Sequence, residues 1–472
     1  MISNFMDNVA AIFGIDVLAP ATSLFAATPE ADYGSFVLAG VLVTLVVVYL
    51  MSKLGGELSK RLDLPPVLGE LVGGVVVGVS ALHLIVFPET GAAAADSVIM
   101  SGLQWLGDLD AEAMTHIFTS QSEVISVLAE LGVIVLLFEI GLESDLRELT
   151  KVGSQAAIVA VVGVVAPFVL GTVGLVTLFH TPVIPAVFAG AALTATSIGI
   201  TSKVLSELGH LKSTEGQIIV GAAVMDDVLG IIVLAVVASL SKTGAVDLWN
   251  VIYLIVSAST FLLGSVLLGK FFNQSFEAIA DRLQTRGALL IPAFTFALAM
   301  AFLANVIHLE AILGAFAAGL VLDETDRRKE LDYQVMPIAD ILVPIFFVTV
   351  GAKADLGVLN PAVPENRAGL IIAAFLIAVA IVGKVVTGWV VFGKPGINRL
   401  AIGIGMVPRG EVGLVFAGIG SASGVLDKPL EAAIIVMVIL TTFIAPPLLQ
   451  WALSGQDVTA ADASEASTVP VD

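Results

Sequence analysis

The fold class of this chain is decided by residues 216–240, which read GQIIVGAAVMDDVLGIIVLAVVASL. A helix that spans a membrane needs roughly 20 mainly apolar residues, and this run is long enough. Its only charged residues, Asp226 and Asp227, lie near its middle. Placing one carboxylate at the centre of a bilayer costs about 2.5–3.5 kcal/mol, so two adjacent ones indicate a functional site within the membrane. A structural polar network is the alternative interpretation.

The rest of the chain has the composition of a membrane protein. Of its 472 residues, 57% are hydrophobic and 13% are charged, and the mean hydropathy is +1.02. A soluble domain has about a quarter of its residues charged, so lipid must be part of the solvent here. The net charge of −20 argues against nucleic acid as a partner.

The chemistry that this composition excludes is also informative. The chain has no cysteine, which excludes disulfides and thiolate metal sites, and its five His form no H-x-x-x-H pair. No pairing of a nucleophile with a base is visible, so we predict neither an enzyme nor a cofactor.

Hydropathy predicts an all-α membrane protein with thirteen transmembrane helices. The ninth span is short, and polar residues interrupt the fifth and the twelfth. The predicted spans lie at about 35–52, 66–87, 124–142, 153–179, 183–202, 216–240, 248–269, 287–306, 310–322, 335–352, 368–393, 398–423 and 430–452.

The basic residues of the loops predict the orientation. Loops on one side hold fifteen Lys and Arg, whereas those on the other side hold four. By the positive-inside rule the C-terminus is cytoplasmic and the N-terminus lies outside, as in a bacterial inner-membrane protein. We expect segment 1–34 to be extracytoplasmic, the long loop 88–123 to lie outside, and the acidic tail 453–472 to be disordered.

The thirteen spans also suggest an internal symmetry. With the seventh span as a connector, six spans precede it and six follow, which suits an inverted repeat of the kind that many transporters use. Equivalent positions in the two halves are the interrupted spans, with Thr194–Ser197 in one and Met406–Glu411 in the other. In such folds the ion site lies near the midplane, where the broken helices meet.

The first interruption contains Thr194, Thr196 and Ser197. Hydroxyls and unwound carbonyls are hard oxygen ligands that suit Na⁺ or Li⁺. Alternatively these hydroxyls hydrogen-bond to carbonyls of their own helix, which is common. The aspartate pair in the next span favours the ligand interpretation for Thr196 and Ser197.

The second interruption is built around Pro408 and Gly410. Proline removes a backbone donor and glycine loosens the helix, so freed carbonyls can face an ion. Arg409 and Glu411 flank the glycine. We expect them to pair with each other and support the break, with direct contact to a cation as the alternative.

Lys384 is the only basic residue deep in the eleventh span. A lysine in hydrocarbon loses its proton unless it is paired, and this one lies too far from the membrane surface to reach it comfortably. We expect it to pair with one of the two aspartates. Snorkelling to the headgroups is the alternative.

These groups predict an exchanger. A buried carboxylate binds either a proton or a metal cation, and a site that opens to each side in turn therefore exchanges the two. If two protons move for each Na⁺, transport is electrogenic. A cation channel and a Na⁺-coupled symporter of an organic anion are the competing interpretations; the symporter needs an anion pocket richer in aromatic and amide groups.

Together these motifs resemble the monovalent cation:proton antiporter-2 family, and in particular its NapA-like bacterial sodium/proton antiporters. The resemblance covers about residues 35–452 and rests on the Asp226–Asp227 pair, TATS at 194–197, GK at 383–384 and MVPRGEVGL at 406–414. It implies a homodimer in which a six-helix core, about 153–240 and 368–452, moves as an elevator against a dimerisation domain. Glu411 resembles an acidic residue near the lysine of the family.

The resemblance also implies roles for the remaining residues. Asp227 resembles the ion-binding carboxylate, with Thr196 and Ser197 beside it, and Asp226 resembles the partner of Lys384. Potassium exporters of the Kef type usually have Gln-Asp where this chain has Asp-Asp; a K⁺/H⁺ antiporter remains the alternative. A cyanobacterial member is also suggested, whose membrane is either plasma or thylakoid.

Overall fold

The computed structural model describes residues 33–243, 247–360, 362, 364–392 and 396–454. The predicted N-terminal segment 1–34 and the acidic tail 453–472 lie almost entirely outside these residues. All regular secondary structure within the described residues is helical, with no strand among them.

Sixteen α-helices make up the described part of the chain. In order they are α1 Gly34–Arg61, α2 Pro66–Val77, α3 Val98–Gly107, α4 Ala111–Glu143, α5 Leu146–Leu178, α6 Val183–Ala192, α7 Ile198–Glu207, α8 Thr214–Thr243, α9 Leu248–Arg282, α10 Leu290–Val306, α11 Ala311–Asp323, α12 Arg328–Ala352, α13 Pro364–Val385, α14 Arg399–Gly405, α15 Glu411–Ala422 and α16 Lys428–Leu453.

The all-helical membrane fold predicted from hydropathy is confirmed. Among the described residues, seven helices are long and apolar enough to cross a membrane: α1, α4, α5, α8, α12, α13 and α16. Helix α1 exposes Leu38, Leu42, Leu50 and Leu54, as expected of a face in contact with lipid. Each predicted span overlaps a helix, and each interrupted span is a pair of short helices. The exact number of thirteen crossings stays a prediction.

The stretch 88–123 is more regular than the loop we expected. It contains α3 and the first three turns of α4, so α4 begins well before the predicted span at 124. Both helices have capped N-termini, because Ser97 Oγ accepts from Met100 N at 3.2 Å and Asp110 Oδ1 accepts from Ala113 N at 2.8 Å. Ser and Asp are preferred at this position, where they bond the free amides of the first turn.

The helices associate in two groups. In the first, which we call the scaffold group, α4 packs on α11 and α12, α2 packs on α1 and α12, and α10 packs on α11. In the second, which we call the site group, α5 packs on α8 and α13, α13 packs on α16, and α15 packs on α6 and α16. Helix α7 lies between them, since it contacts α2 and α4 as well as α8 and α16.

Glycines allow the scaffold helices to approach one another closely. A Cβ on Gly69 of α2 would lie 2.0 Å from the carbonyl oxygen of Gly55 in α1. A Cβ on Gly74 would lie 2.8 Å from the Cα of Gly351 in α12. No larger residue fits at either position without moving a helix, which agrees with the use of small residues at helix contacts in membranes.

Candidate functional site

The first break comprises residues 193–197, between the end of α6 and the start of α7. Thr194 Oγ1 donates to the carbonyl oxygen of Ala191 at 2.7 Å, a local bond that competes with continuation of the helix. Thr194, Thr196 and Ser197 are all buried. This segment contains neither proline nor glycine.

The second break comprises residues 406–410, between α14 and α15. Pro408 lacks an amide hydrogen and disfavours helical geometry at Val407, so the helix stops here on local grounds. Gly410 has extended dihedrals, and it is required for a different reason. A Cβ on Gly410 would lie 3.0 Å from both Cβ and Oγ of Ser197.

The two breaks bond directly to each other, and we call them together the crossing. The amide of Ser197 donates to the carbonyl of Pro408 at 2.9 Å, and Thr196 Oγ1 donates to the carbonyl of Met406 at 3.1 Å. One turn further along α7, Thr201 Oγ1 donates to the carbonyl of Gly405 at 2.9 Å. Buried polar backbone is therefore satisfied across the breaks, as non-helical chain within a membrane requires.

Arg409 reaches from the second break to the first. Its side chain is fully buried, and Nη1 donates to the carbonyl of Thr194 at 3.0 Å and also to that of Ala195. Its own carbonyl accepts from Thr442 Oγ1 of α16 at 2.6 Å. We had expected Arg409 to support the break by pairing with Glu411. The bonds that the structure gives Arg409 instead join it to the other break, and the side chain of Glu411 lies outside the described residues.

Lys384 and Asp226 form an ion pair next to the crossing. The lysine Nζ lies 3.0 Å from Oδ2 and 3.3 Å from Oδ1 of Asp226, and neither side chain is exposed. Gly163 of α5 makes room for the ammonium group, because a Cβ there would lie 3.3 Å from Nζ. Lys384 therefore has a partner on another helix and does not need to reach the membrane surface.

Asp227 faces a different direction from its neighbour. Successive residues of an α-helix are rotated by about 100°, so when Asp226 faces α13, Asp227 does not. Helix α8 contacts all four helices that flank the two breaks, α6, α7, α14 and α15. Asp227 is 5% exposed. The two aspartates therefore face different neighbours, and the helix that carries both packs beside the crossing.

Among the described side chains, the crossing gathers four ionisable groups of balanced formal charge. Asp226 and Asp227 are opposed by Lys384 and Arg409, and all four are close enough for their charges to interact. A low-dielectric site holds such charges only in compensating pairs. Any cation that binds here adds a charge that the loss of a proton can offset.

Several other acidic residues gather around Lys203 of α7. Its charge interacts with those of Glu70, Glu139, Glu143 and Glu207. Asp340 belongs to the same group, because its charge interacts with Glu70 and Glu139. Lys203 lies about 9 Å beyond Ser197 along the helix. These acids therefore line the contact of α7 with α2 and α4 and are separate from the crossing.

Sequence reasoning missed several residues of the site. Thr442 supports Arg409, and Thr201 adds a bond between the breaks. Thr442 had a signal, since it is one of two adjacent threonines within an apolar span. Gly163 had none, because glycines are frequent throughout this chain, 45 in all. Among the described residues no three His, Asp or Glu side chains are grouped as a divalent metal site requires.

Comparisons with known proteins agree with this architecture. The chain is 62% identical over 426 residues to the high-affinity Na⁺/H⁺ antiporter NhaS3 of Synechocystis sp., covering 90% of this chain and 92% of that protein. It is 32% identical to the Na⁺/H⁺-K⁺ antiporter GerN of Bacillus cereus, covering 88% and 96%.

The fold is that of a solved antiporter structure. The structure of the sodium proton antiporter MjNhaP1 from Methanocaldococcus jannaschii matches with a TM-score of 0.60 at 16% identity, covering 89% of this chain and 98% of that one. The resemblance to cation/proton antiporters predicted from the motifs is confirmed by a family model. Residues 37–455 match the transmembrane sodium/hydrogen exchanger model, and the chain belongs to that family of transporters.

Proposed function

We propose that this protein exchanges Na⁺, or Li⁺, for protons at Asp227 by alternating access. The observation that carries the proposal is a buried carboxylate on a helix that packs against two broken helices, which are bonded to each other. The family and the 62% identical relative, which is named a Na⁺/H⁺ antiporter, support the same reaction.

The proposed ligands are oxygen atoms of Asp227, Thr196 and Ser197. Carboxylate and hydroxyl oxygens suit hard monovalent cations. An ionised Asp227 attracts Na⁺, whereas a protonated Asp227 has lost the charge that would bind it. The two ligands therefore compete for one group, and exchange follows if the site faces each side in turn.

The ion pair of Asp226 with Lys384 supplies the second part of the proposal. Displacing one proton from Asp227 offsets one Na⁺, so a second proton must come from another group. A cation bound beside this ion pair repels the ammonium group of Lys384, which is the proposed source of the second proton. Two protons for one Na⁺ make transport electrogenic, worth about 2.3 kcal/mol per net charge per 100 mV.

Thr194, Pro408, Arg409 and Gly410 support the broken helices in this scheme. We propose that the site group, which corresponds to the predicted core at 153–240 and 368–452, moves as an elevator against the scaffold group. Helix α7 contacts both groups, so its packing must change in this movement. Glu411 is proposed as a further acidic group near Lys384.

We further propose a homodimer in the lipid bilayer of a bacterial inner membrane, with the N-terminus outside and the C-terminus cytoplasmic. The charge bias of the loops supports the orientation. The cyanobacterial relative keeps the thylakoid membrane as an alternative.

Two alternatives concern the substrate. K⁺/H⁺ exchange is the first, supported by the name of the 32% identical relative, a Na⁺/H⁺-K⁺ antiporter. Symport of an organic anion is the second, and it is disfavoured because Lys384 is engaged by Asp226. Arg409 bonds two carbonyls through Nη1, while its Nε and Nη2 have no hydrogen-bond partner among the described residues.

The test uses purified protein in liposomes with an imposed pH gradient and a luminal pH dye. Addition of NaCl, LiCl or KCl should dissipate the gradient, and the ranking of the three salts names the substrate. Asp227→Asn should abolish the response. Asp63→Asn is the matched control, because Asp63 is exposed and has a left-handed backbone that asparagine also tolerates. A wild type silent to all three cations would overturn the proposal.

A further inference from the structure

Two cavities open beside the crossing, and they share one wall. The first, about 380 Å³, lies between α4, α12, α15 and α16, and the second, about 500 Å³, lies between α4, α8 and the α10–α11 connection. Glu130 and Val133 of α4 line both cavities. Glu130 is exposed, whereas Val133 is 7% exposed.

Both cavities lead to the proposed ion site. The first is lined by Gly410, whose backbone lies against Ser197. The second is lined by Ile231, which is one helical turn beyond Asp227 and therefore on the same face of α8. A cation in the first cavity would lie beside Gly410, which contacts Ser197, and a cation in the second would lie beside Ile231, one helical turn from Asp227.

The floor of the first cavity is sealed by close packing around Gly199, in the first turn of α7. A Cβ at Gly199 would lie 3.4 Å from Val133, 3.6 Å from Phe346 and 3.8 Å from Leu136. All three apolar residues are buried.

Thr349 of α12 lies at the level of Glu130. Val133 is three residues beyond Glu130, and Phe346 is three residues before Thr349, so each pair shares a helix face. Helices α4 and α12 pack against each other, with Val133 and Phe346 at the seal. Glu130 and Thr349 therefore lie one helical turn from the seal, on the side away from Gly199. Thr349 is 3% exposed and lines the first cavity, and its Oγ1 has no hydrogen-bond partner among the described residues.

The charge of the cavities favours a cation. Lys353 lines the first cavity, but its ammonium lies 2.7 Å from Glu89 and 4.7 Å from the centre of the Phe87 ring. The charges of Lys353 and Glu89 offset each other, and Glu130, which lines both cavities, leaves them negative. Low-dielectric walls focus such a field and raise the local concentration of counter-ions.

We propose that Glu130 and Thr349 form a staging site that takes a monovalent cation from solution before it reaches Asp227. The inference rests on the proposed function and deepens it. A carboxylate oxygen and a hydroxyl oxygen that lacks a partner replace part of the cation's hydration shell, and the seal of Val133 and Phe346 opens onto the crossing. Glu130 is a positioning residue in this scheme, because Asp227 remains the exchanging group.

The kinetic test compares Glu130→Gln with Glu123→Gln, which removes the same charge from the exposed surface of α4, two turns away. For Na⁺ supplied from the side of the cavities, Glu130→Gln should raise KM about threefold to tenfold and leave kcat within about twofold. From the other side KM should stay unchanged, as should both constants in Glu123→Gln. An unchanged KM, or an equal rise from both sides, would overturn the staging site.

A labelling test separates this proposal from the exchange proposal. The chain has no cysteine, so Ser126→Cys places a single thiol in the wall of the first cavity. Na⁺ should slow its reaction with a cationic methanethiosulfonate relative to choline at equal ionic strength, even when Asp227→Asn has abolished exchange. Adding Glu130→Gln should remove the protection. Equal labelling rates in Na⁺ and choline would refute the staging site whatever the transport result.

Discussion

The two breaks of the crossing have opposite origins. The second break stops for local reasons, because Pro408 cannot continue a helix and disfavours helical geometry in the residue before it. The first break contains no proline, and the buried carbonyls of Thr194 and Ala195 accept hydrogen bonds from Arg409, in the other half of the chain. The second break is thus determined by its own sequence, whereas the first depends on hydrogen bonds from the second.

This difference indicates that the two breaks stabilise each other and that the crossing forms cooperatively. The Ser197 amide, the Thr196 hydroxyl and the Arg409 guanidinium all bond from one break to the other. Removing a bond should therefore damage both breaks, and the damage should be greatest where the first break loses its only charged donor.

The largest effect is expected for Arg409→Met. It leaves the carbonyls of Thr194 and Ala195 buried without their donor, at a cost of about 2–5 kcal/mol for the two groups. The midpoint of thermal unfolding in detergent should fall sharply, and exchange should be lost. Arg409→Lys keeps the charge without the forked donors and should lie between Met and wild type.

Pro408→Ala is the matched control for that experiment. Alanine keeps the carbonyl that accepts from Ser197, so the crossing should persist with a loss of about 0.4–1 kcal/mol from the freer unfolded chain. If Pro408→Ala destabilised the protein as much as Arg409→Met, the proline alone would make the break and the comparison would fail.

An intermediate effect is expected for Gly410→Ala. The new methyl group would lie 3.0 Å from Cβ and Oγ of Ser197, and overpacking of this kind costs about 1–3 kcal/mol. Because Ser197 supplies both contacts, the addition of Ser197→Gly should recover stability. A double-mutant cycle on the unfolding midpoint measures the coupling. Strictly additive effects would mean that the two breaks do not touch there.

The smallest effect on stability is expected for Thr196→Val and Thr201→Val. Thr196→Val removes a hydroxyl bond to Met406 in the second break, and Thr201→Val removes one to Gly405 at the end of α14, each worth about 0.5–1.5 kcal/mol. Only Thr196 is a proposed ligand, so only Thr196→Val should also raise the KM for Na⁺, by about fivefold to tenfold. Equal KM changes in liposome exchange assays would remove Thr196 from the ligand set.

Sequence alone predicted the features that depend on local chemistry. Hydropathy located the helices, and Pro408 with Gly410 located the second break. The cost of a buried ammonium predicted that Lys384 needs an aspartate, and the structure places Asp226 beside it. The roles of Asp227, Thr196 and Ser197 in ion binding stay predictions.

Features that depend on distant contacts were not predictable in this way. Arg409 has Glu411 two residues away, so a local pair was the natural expectation, yet its bonds go to residues 215 and 214 positions earlier in the chain. The helices within 88–123 were not predicted, although Ser97 and Asp110 are good capping residues.

The two breaks also place four helix ends at one point. The starts of α7 and α15 carry partial positive charge from their free amides, and the ends of α6 and α14 carry partial negative charge from their free carbonyls. Because each break contributes one end of each sign, the backbone dipoles offset each other. The crossing itself then brings no net charge into the hydrocarbon, so the charge moved in each cycle is set by the protons and the cation on its side chains.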